Sequence, residues 1–597
     1  MPAFASRVAR AVYRSLPRRA QIAARSALGG ALFARRMRGP VPASWPDRSP
    51  VSIVIPSYND LPFLKKCLAS VERTCDRFDY EVLVVDDYCE PANRERLKRV
   101  ERGRVRLILR DERGGFAKAV NTGIREARWD VVLLNSDTVA QPGWLDSLQR
   151  AAYTNDRVGL VSPMLVYPDG LIQYGGTYHA RRLAPQWYGH LYVGRAANDP
   201  AANQPWFIRS VSGACVYIRR EVVDAIGGLD EQFWLGFEDV DYGLRAWRAG
   251  FRSRYEPSAK LVHHESASRG YSQGKRELGS MRYYWSKWAS MVLERGVTTI
   301  PAVSFLMSSA STPLWRDYVA QLAREFGALG VQTVVQNVAG AIDEGIVAQW
   351  EHRAAIVVAT DRGAVETAWL ATQGGGIPAY LLPGIDADSS KLTNAERLSA
   401  AAGYRPEFDY VAPNRWSADR LAAHSAWETR AIIPPVLAPP PLPTETGSGI
   451  VTVGGSAAER ATVDAVAARH ATTTEHLSLA PLAREDLKGV ASARPRVVVS
   501  FVDHDHSMEP LALMSLGAAY MGLTNERTRY EVLDGYNALL FGRGESDSMA
   551  QSLEDALTDD AVYSELRVNG HHSATVLHDA NATHVHRTFA DLAARAY

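Results

Sequence analysis

A short acidic segment, Phe237-Glu238-Asp239-Val240-Asp241, stands at the predicted start of a helix. Negative charge suits a helix N-terminus, so some of these carboxylates can serve simply to match the helix dipole. Three carboxylates within four residues exceed what this requires, and like charges held close together raise one another's pKa. A carboxyl group with a raised pKa is suited to act as a general base. The segment is therefore a candidate source of such a base.

Polar side chains follow the ends of three predicted strands in the first half of the chain. The apolar runs at 51–55, 81–85 and 131–134 predict strands, and helical patterns fall between them. Strands that alternate with helices predict a doubly wound parallel α/β sheet, in which ligands bind outside the carboxyl ends of the strands. The side chains expected to converge on one crevice are Ser57, Tyr58, Asn59, Asp86, Asp87 and Asp137.

The residue types at this crevice suit a nucleotide and a metal ion. Tyr58 offers a ring on which a base can stack, and Asp86 and Asp87 can accept hydrogen bonds from base or ribose. Asp137 is the ligand type that hard divalent cations prefer, and His263 supplies an imidazole at another element boundary. An Asp-Asp pair after a strand also caps helices, so that alternative stays open. Two polar residues complete the set: Arg113, directly before a Gly-Gly pair, and Asn121, further along the helix that this pair opens.

The composition is that of a globular protein with segregated charge. Of the 597 residues 46% are apolar and 22% are charged, and the formal net charge is +1. Residues 1–46 contain nine Arg and no Lys, Asp or Glu, so this segment carries +9 and the rest of the chain carries −8. A net acidic body excludes a protein that mainly coats nucleic acid. Four widely spaced Cys and no apolar run long enough to span a bilayer predict a reduced, cytoplasmic location.

The N-terminal arm, taken as residues 1–48, places Phe4, Val8, Val12 and Leu16 at helical spacing with Arg residues between them. Such a basic amphipathic helix is typical of segments that lie on anionic membrane surfaces. This interpretation predicts a peripheral position on the inner face of the plasma membrane. A solvated arm and a targeting segment are the alternatives, and all three stay open.

Several short motifs occur in a fixed order between residues 51 and 275. They are Val-Ile-Pro-Ser-Tyr-Asn (54–59), Val-Val-Asp-Asp (84–87), Arg-Gly-Gly-Phe-Ala-Lys-Ala-Val-Asn (113–121), Leu-Leu-Asn-Ser-Asp-Thr (133–138), Ser-Gly-Ala-Cys-Val-Tyr-Ile-Arg-Arg (212–220), Gly-Gly-Leu-Asp-Glu (227–231), Phe-Glu-Asp-Val-Asp (237–241) and Val-His-His (262–264). This succession resembles glycosyltransferase family 2 enzymes of the GT-A fold, and rhamnosyltransferase-like members match most closely. Asn135-Ser136-Asp137 stands where the family has Asp-x-Asp, with Asn in place of the first carboxylate.

The resemblance implies a GT-A domain over 49–297 that transfers a sugar, with inversion, from a nucleoside diphosphate donor to an acceptor hydroxyl. It implies that Asp239 is the base, with Glu238 as the fallback. It also implies a Mg²⁺ or Mn²⁺ ion held by Asp137 and His263, which stabilises the departing diphosphate. The remaining residues it implies are Pro56, Ser57, Tyr58, Asn59, Asp86, Asp87, Arg113, Asn121, Ser136 and Asp137 for the donor, and Trp234 and Asp241 for the acceptor.

The expected acceptor is a growing, lipid-linked glycan of the bacterial surface, such as O-antigen or capsule, and rhamnose is the candidate sugar. The competing hypothesis is a glycan-binding or assembly scaffold that uses transferase folds without turnover. The presence of Asp137, Asp239 and His263 favours the enzyme, since a scaffold is free to lose them.

The chain from 298 to 597 is predicted to form a second α/β unit in two halves, 298–433 and 446–597, with a stiff Pro-rich linker at 434–445. Two such halves resemble the pair of Rossmann-type subdomains of a GT-B glycosyltransferase similar to family 4. The segment Leu511–Gly517, followed by Thr524-Asn525, is similar to the donor-site helix and strand of that fold.

This second half departs from the family 4 pattern at its donor site. Ala512 stands where a donor-binding Glu is usual, His504 stands at the partner Glu position, and Glu509 lies about one helical turn away. The cluster 503–506 contains two Asp and two His, which are either solvated or a metal site. Three interpretations stay open: a second transferase with an altered site, a non-catalytic acceptor-binding or assembly module, and an unrelated function.

Overall fold

The computed structural model describes residues 33–37, 48–180, 183, 186–264, 275–289, 302–389, 392–425, 427–477 and 481–594. The chain divides into two compact units, Met1–Ser290 and Met291–Tyr597. The predicted basic arm lies outside the described residues except for 33–37 and 48, so its membrane association stays a prediction. Among the described residues no helix is long and apolar enough to cross a membrane.

The first unit begins with strands that alternate with helices. Its first strand is built from β-branched residues, and Val51, Ile53, Val54 and Ile55 are all completely buried, as expected for a parallel strand covered on both faces. The elements of this part are β1 (Val51–Ser57), α1 (Leu61–Thr74), β2 (Tyr80–Asp86), α2 (Pro91–Leu97), β3 (Val105–Leu109), α3 (Phe116–Glu126) and β4 (Asp130–Leu134).

The rest of the first unit extends this sheet. Its elements are β5 (Thr138–Ala140), α4 (Trp144–Ala152), β6 (Val158–Val166), β7 (Ile172–Tyr174), β8 (Thr177–His179), β9 (Tyr188–His190), β10 (Trp206–Ile208), β11 (Cys215–Ile218), α5 (Arg220–Ile226), α6 (Glu238–Arg248), β12 (Arg252–His263) and α7 (Lys275–Trp288). The strand order is β10-β12-β6-β11-β4-β1-β2-β3, with β5 beside β12 and β7 beside β6. The predicted parallel sheet is confirmed for β1 to β4. The sequence did not predict that β11 runs antiparallel to both of its neighbours.

The register of these strands fixes where the candidate site lies. Ser57 pairs with Asp86 and Val54 pairs with Leu133, so β1, β2 and β4 end at the same edge of the sheet. The last residue of β12, His263, pairs with Thr138 at the start of β5. This antiparallel pair brings a residue from the end of the domain next to the segment that follows β4.

The second unit contains two sheets, and every strand pair in them is parallel. The first half comprises β13 (Ala302–Met307), α8 (Pro313–Ala328), β14 (Thr333–Asn337), α9 (Glu344–Trp350), β15 (Ala355–Ala359), α10 (Val365–Ala371), β16 (Ile377–Leu381), α11 (Asn394–Gly403), β17 (Asp409–Ala412), α12 (Arg415–Ser425) and β18 (Thr429–Ile432). These strands form a six-stranded sheet with the order β14-β13-β15-β16-β17-β18.

The second half comprises β19 (Ile450–Val453), α13 (Ala457–Arg469), β20 (Thr474–Leu477), α14 (Arg484–Ala493), β21 (Val497–Ser500), α15 (Met508–Met514), β22 (Ala519–Leu523), β23 (Leu539–Phe541), α16 (Ser546–Thr558) and α17 (Asp560–Ala594). These strands form a five-stranded sheet with the order β20-β19-β21-β22-β23.

The Pro-rich segment at 434–445 contains no helix or strand but is held against the fold. Val436 and Leu437 are buried in a core shared by both sheets. Backbone carbonyl groups of this segment accept hydrogen bonds from side chains, among them Pro440 O from His571 Nε2 at 2.8 Å. The segment therefore packs against the fold, whereas its composition predicts a stiff linker between two compact halves.

Candidate active site

Asp87 holds the Gly-Gly loop in front of α3. Its Oδ1 accepts a hydrogen bond from Gly114 N and its Oδ2 from Gly115 N, both at 2.9 Å, and Arg110 pairs with the same carboxylate. Gly115 has φ 85°, and a Cβ there would lie 2.7 Å from the carbonyl oxygen of Trp234. Only glycine fits this position without strain. Asp87 therefore shapes the backbone that approaches the carboxyl edge of the sheet.

Asp86 and Asn59 fix the ends of the neighbouring strands. The Asp86 side chain is completely buried. Its Oδ1 accepts a hydrogen bond from Cys89 N at 2.9 Å, and Arg94 Nε lies 3.2 Å from Oδ2, which compensates the buried charge. Asn59 has φ 54°, and its Oδ1 accepts a hydrogen bond from Asn93 Nδ2 at 3.1 Å. Both residues thus hold the chain at the edge where the predicted donor site lies.

Tyr58 and Arg113 form the open part of this edge. The guanidinium carbon of Arg113 lies 3.8 Å from the centroid of the Tyr58 ring, a cation–π contact. Tyr58 is half-buried, Arg113 is exposed, and Pro56 in β1 is half-buried beside them. A flat aromatic ring and a flat guanidinium both offer surfaces on which a nucleobase can stack.

Asp137 and His263 approach each other as two ligands of one metal ion do. His263 Nε2 lies 3.2 Å from Asp137 Oδ1, and the exposed fractions of the two side chains are 8% and 9%. His263 Nδ1 lies 2.7 Å from Gln173 Oε1, an atom that only accepts hydrogen bonds. The tautomer with its proton on Nδ1 satisfies this contact, and in that tautomer Nε2 is the nitrogen that can bind a metal ion.

This pair of donor atoms fits a divalent cation. A carboxylate oxygen and an imidazole nitrogen together suit Mn²⁺ better than Mg²⁺, which prefers oxygen ligands alone. A histidine ring oriented by a second polar group is typical of metal-binding histidines. In the described parts of the chain no group of three or more His, Cys, Asp or Glu residues could hold a metal ion. Further ligands must therefore be a substrate, water or neutral oxygens such as the buried Oδ1 of Asn135, which accepts no hydrogen bond from the described chain.

The acidic turn forms the start of α6, after Phe237 in the left-handed conformation with φ 74°. Asp239 is half-buried, and its Oδ2 accepts a hydrogen bond from Gly213 N at 2.7 Å. Its Oδ1 accepts one from Val240 N at 2.8 Å. Glu238 is buried, with 5% of its surface exposed. Asp239 is thus the more accessible of the two candidate bases.

The segment 213–214 connects the base to the strand end that carries the metal pair. Asn135 N donates a hydrogen bond to Ala214 O at 2.9 Å. The preceding residue, Gly213, is the one that donates to Asp239. Because both bonds involve one dipeptide, the structure brings the end of β4 and the start of α6 to the same place.

Trp234 makes a similar connection on the donor side. Its carbonyl oxygen accepts a hydrogen bond from Phe116 N at 3.3 Å, at the start of α3. The guanidinium carbon of Arg276 lies 4.3 Å from its ring centroid, and the side chain is half-buried. Trp234 thus lies between the Gly-Gly loop and α7, and contact with an acceptor stays a prediction.

Asp241 was predicted to contact the acceptor, but its environment in the structure does not fit this role. Its side chain is completely buried. Trp288 Nε1 and Lys287 Nζ contact Oδ1 at 2.9 and 2.8 Å, and Arg245 Nε donates to Oδ2 at 2.8 Å. With both oxygens taken by these donors, Asp241 joins α6 to α7 instead of facing an acceptor.

Asn121, predicted to contact the donor, fastens α3 to the segment before α6. Its Nδ2 donates to Leu229 O and its Oδ1 accepts from Leu229 N, both at 2.8 Å. A Cβ at Gly228 would lie 2.1 Å from Oδ1, so this close approach requires glycine. These bonds take up the amide group, and direct contact with a donor stays a prediction.

We expect Asp241→Asn to lower the free energy of unfolding by about 1–3 kcal/mol, because Lys287 and Arg245 lose their charged acceptor. Denaturant unfolding followed by circular dichroism measures this loss. Asp224→Asn is the matched control, since Asp224 is exposed and its ion pair with Arg220, at 3.0 Å, lies at the surface, and we expect a change within about 0.5 kcal/mol. Equal destabilisation by the two substitutions would contradict the anchoring role.

The family model described as "Glycosyl transferase family 2" matches residues 52–227. Residues 52–227 form a glycosyltransferase family 2 domain. The match includes β1 to β4, the Gly-Gly loop and Asp137, and ends before α6. Asp239 and His263 lie beyond the matched residues, so their roles depend on the geometry described above.

Three relatives are similar to part of this chain. "Uncharacterized protein y4gI" of Sinorhizobium fredii is 32% identical over 274 residues, which are 41% of this chain and 29% of that protein. "O-antigen biosynthesis protein RfbC" of Myxococcus xanthus is 32% identical over 226 residues, which are 37% of this chain and 18% of that protein. "N-acetylglucosaminyl-diphospho-decaprenol L-rhamnosyltransferase" of Mycobacterium tuberculosis is 29% identical over 241 residues, which are 36% of this chain and 77% of that protein. The chain thus spans less than a third of the length of the first two relatives.

Solved structures also overlap with the chain, at low similarity. A crystal structure titled "GalNAc-T7 with UDP, GalNAc and Mn2+" has a TM-score of 0.33 and 15% identity, and covers 41% of this chain and 50% of its own. At this similarity the comparison carries no argument about the site.

Asp60 is a residue of the family 2 domain that sequence reasoning missed. Its carboxylate accepts hydrogen bonds from Ser57 Oγ at 2.5 Å and from Ser136 Oγ, so it links the ends of β1 and β4. Burial raises the pKa of Asp60, the two serines oppose this rise, and the nearby charge of Asp137 adds to it. In sequence Asp60 precedes Leu61-Pro62 and is typical of a helix cap, yet its side chain forms no capping bond.

In the second unit His504 forms a buried polar group at the end of β21. Its Nδ1 lies 2.9 Å from Glu509 Oε2, and its Nε2 lies 3.1 Å from Ser500 Oγ. Ala512 is buried in α15. His504 and Ala512 thus stand at the two positions where the resemblance implies donor-binding carboxylates, and the nearby Glu509 pairs with His504.

The metal interpretation of the cluster 503–506 gains no support from the structure. The residues of this cluster point to different partners, and the described chain contains no metal-binding group of three or more such side chains. The other pairs are Asp503 with Asn525, Asp505 with Arg527, and His506 with Trp315.

Proposed function

We propose that the first unit is an inverting glycosyltransferase that moves a sugar from a nucleoside diphosphate donor to an acceptor hydroxyl. The observation that carries this proposal is the connection through residues 213–214, which joins the base candidate Asp239 to the strand end that bears Asp137. Nucleotide-binding and proton-accepting groups of a family 2 domain thereby share one crevice.

The donor is expected along the carboxyl ends of β1, β2 and β4. The nucleobase stacks against Tyr58 and Arg113 at the open edge. Asp86 pairs with Arg94, and Asp87 pairs with Arg110 and accepts a hydrogen bond from Gly114 N, so these two carboxylates act by holding the walls of this site. Ser57 and Ser136 are held by Asp60 at its floor.

In the transfer step the acceptor oxygen forms a bond to the anomeric carbon as the bond from that carbon to the diphosphate breaks. The acceptor proton passes to a carboxylate oxygen of Asp239. Attack from the side opposite the leaving group inverts the anomeric configuration.

Asp137 and His263 would hold a divalent cation, for which their donor atoms favour Mn²⁺. When bound, the ion supplies positive charge that stabilises the departing diphosphate. Gln173 keeps the proton of His263 on Nδ1 and thus Nε2 ready as a ligand.

The substrate class we propose is a lipid-linked glycan of the cell surface, with rhamnose as the transferred sugar. It is supported by the names of two relatives, an O-antigen biosynthesis protein and a rhamnosyltransferase that acts on a diphospho-decaprenol lipid. The cytoplasmic face of the plasma membrane is where we place the reaction.

For the second unit we propose a GT-B-like pair of Rossmann-type subdomains. Its two parallel sheets support this arrangement. A second transferase site and a non-catalytic glycan-binding module are both compatible with that fold, and His504 and Ala512 in place of two carboxylates favour the module.

The test is to incubate the purified chain with a panel of nucleoside diphosphate sugars and Mn²⁺, with and without a lipid-linked acceptor. We expect release of nucleoside diphosphate with one donor class, and a product whose anomeric configuration in NMR spectra is opposite to that of the donor. A retained configuration would contradict the inverting mechanism. No turnover with any donor would favour the alternative of a scaffold without catalysis.

A further inference from the structure

The second unit contains a cavity of about 200 Å³ at the carboxyl edge of its six-stranded sheet. Its walls come from the end of β16, the start of α10 and the inner face of α11. The lining residues that matter here are Arg362, Tyr380, Asp386, Ser399, Ala400 and Tyr404. Ligands of parallel α/β sheets bind at this edge, and the proposed mechanism of the first unit does not involve it.

Polar groups that a ligand can satisfy face this cavity. Tyr404 is 5% exposed and lines the cavity, with the backbone of Asp386 and Ala387 close to its hydroxyl. A hydroxyl group can donate one hydrogen bond and accept two, so it can also bond a ligand. Burial raises the pKa of Asp386 to about 6, Arg362 opposes this rise, and the charges of Asp505 and Asp361 add to it. The cavity therefore has a polar lining that can form hydrogen bonds with a ligand.

Aromatic rings form another part of the cavity wall. They are the rings of Tyr380 and Tyr404, whose centroids lie 6.5 Å apart. Carboxylate and hydroxyl groups can bond the hydroxyl groups of a sugar, while ring faces pack against its C–H groups. A few convergent polar groups on an aromatic wall are typical of small-molecule sites.

The charges around the crevice disfavour a nucleoside diphosphate. The lining cation Arg362 pairs with Glu396 at 3.3 Å, and Arg527 pairs with Asp505 at 3.1 Å. Gly384 lies close to Asp505, since a Cβ there would be 3.3 Å from the aspartate Cβ, so this acidic loop lies against the end of β16. The negative charge of a diphosphate would be repelled by the carboxylates here, and the nearby cations Arg362 and Arg527 are already paired with carboxylates of the protein.

The helix that follows β19 likewise offers no place for a phosphate. Ser456 and Glu459 form a capping box, in which Glu459 Oε2 accepts from Ser456 N at 2.7 Å and Ser456 Oγ accepts from Glu459 N at 3.2 Å. The carboxylate of Glu459 thus occupies the position that an anion would take at the N-terminus of α13.

We propose that this cavity binds an uncharged sugar residue and that the second unit is a glycan-binding module without a nucleotide-sugar site. The inference deepens the proposed function and depends on it only for the identity of the glycan. Of the two roles left open for the second unit, a second transferase and a non-catalytic glycan-binding module, it selects the module. Binding of sugar here holds a glycan chain on the protein while the first unit acts on it.

The test measures binding of uncharged methyl glycosides, methyl α-rhamnoside among them, to the full-length chain by saturation-transfer NMR. We expect Asp386→Asn to weaken binding about ten- to a hundredfold, since a hydrogen bond to a charged group is lost. Ala400→Leu fills the cavity without changing charge and is expected to abolish binding. Ala395→Leu, at an exposed position of the same helix, is the matched control and is expected to bind as the parent does.

Asp137→Asn in the first unit separates this proposal from the proposed function, and we expect it to leave glycoside binding unchanged. Loss of binding in that variant would place the sugar in the first unit and overturn the proposal. The proposal also fails if no methyl glycoside binds the parent chain, or if binding survives both Asp386→Asn and Ala400→Leu. Competition between UDP and the glycoside for the cavity in the Asp137→Asn chain would instead show a nucleotide site.

Discussion

Asp239→Asn is expected to lower the turnover number of sugar transfer by about two to four orders of magnitude, the usual weight of general base catalysis. Asparagine keeps an oxygen that can accept the hydrogen bond from Gly213 N, which is 2.7 Å long in the native chain. The start of α6 should therefore keep its geometry. The amide cannot take up the acceptor proton at neutral pH, so the loss falls on the chemical step. Steady-state kinetics with a saturating donor measures it.

Donor affinity should hardly change in this variant, because the nucleotide is expected at Tyr58 and the strand ends, away from α6. Glu238→Gln is the control, since the neighbouring carboxylate is buried while Asp239 is half-buried. We expect it to raise the acceptor KM more than it lowers kcat. A near-normal rate for Asp239→Asn together with an inactive Glu238→Gln would assign the base to Glu238.

The parallel parts of the fold could be predicted because their sequence pattern is local. Runs such as 51–55, 131–134 and 355–359 are apolar and β-branched, and they form β1, β4 and β15. A short strand buried on both faces needs no information beyond its own residues. The antiparallel β11 was missed because its direction depends on how the chain returns to β4, which no local pattern records.

The candidate site could be predicted in part for the same reason. The convergence of Ser57, Asp86 and Asp137 follows from parallel strands that end together. The position of His263 beside Asp137 depends on the β12–β5 pair, which joins residues far apart in sequence. The sequence offered that histidine as a candidate ligand by its residue type and the element boundary at which it lies, but not its distance from Asp137.

The residues that sequence reasoning missed have side chains that contradict their local pattern. Asp60 occupies the cap position of α1 but bonds Ser57 and Ser136 instead. Gln173 lies in a strand of three residues with no motif around it. Asp241 was predicted to contact the acceptor, but its side chain is buried between two helices. The sequence of an acidic turn does not tell which of its carboxylates face a substrate and which face a neighbouring helix.

Asp137→Ala is expected to abolish metal-dependent transfer while the fold persists. The side chain supplies one of the two atoms that we propose as metal ligands, 3.2 Å from His263 Nε2. Its removal also relieves the charge that helps to raise the pKa of Asp60, so we expect no loss in thermal stability. Circular dichroism checks the fold, and donor turnover with and without Mn²⁺ checks the activity. Full activity of the parent chain in the presence of a chelator would contradict the metal role.

Mn²⁺ affinity tests the metal role more directly than activity does. Electron paramagnetic resonance of free Mn²⁺ measures this affinity without any turnover. Loss of an outer partner of a ligating histidine costs about 10–100-fold in metal affinity, so Gln173→Leu should fall in that range. Removal of the ligand in Asp137→Ala should cost more than Gln173→Leu, because no carboxylate is left at that position. The order parent, Gln173→Leu, Asp137→Ala in falling Mn²⁺ affinity is the expected result. Equal Mn²⁺ affinity of Gln173→Leu and the parent chain would show that Gln173 does not set the tautomer of His263. The argument that Nε2 is a metal ligand would then lose its support.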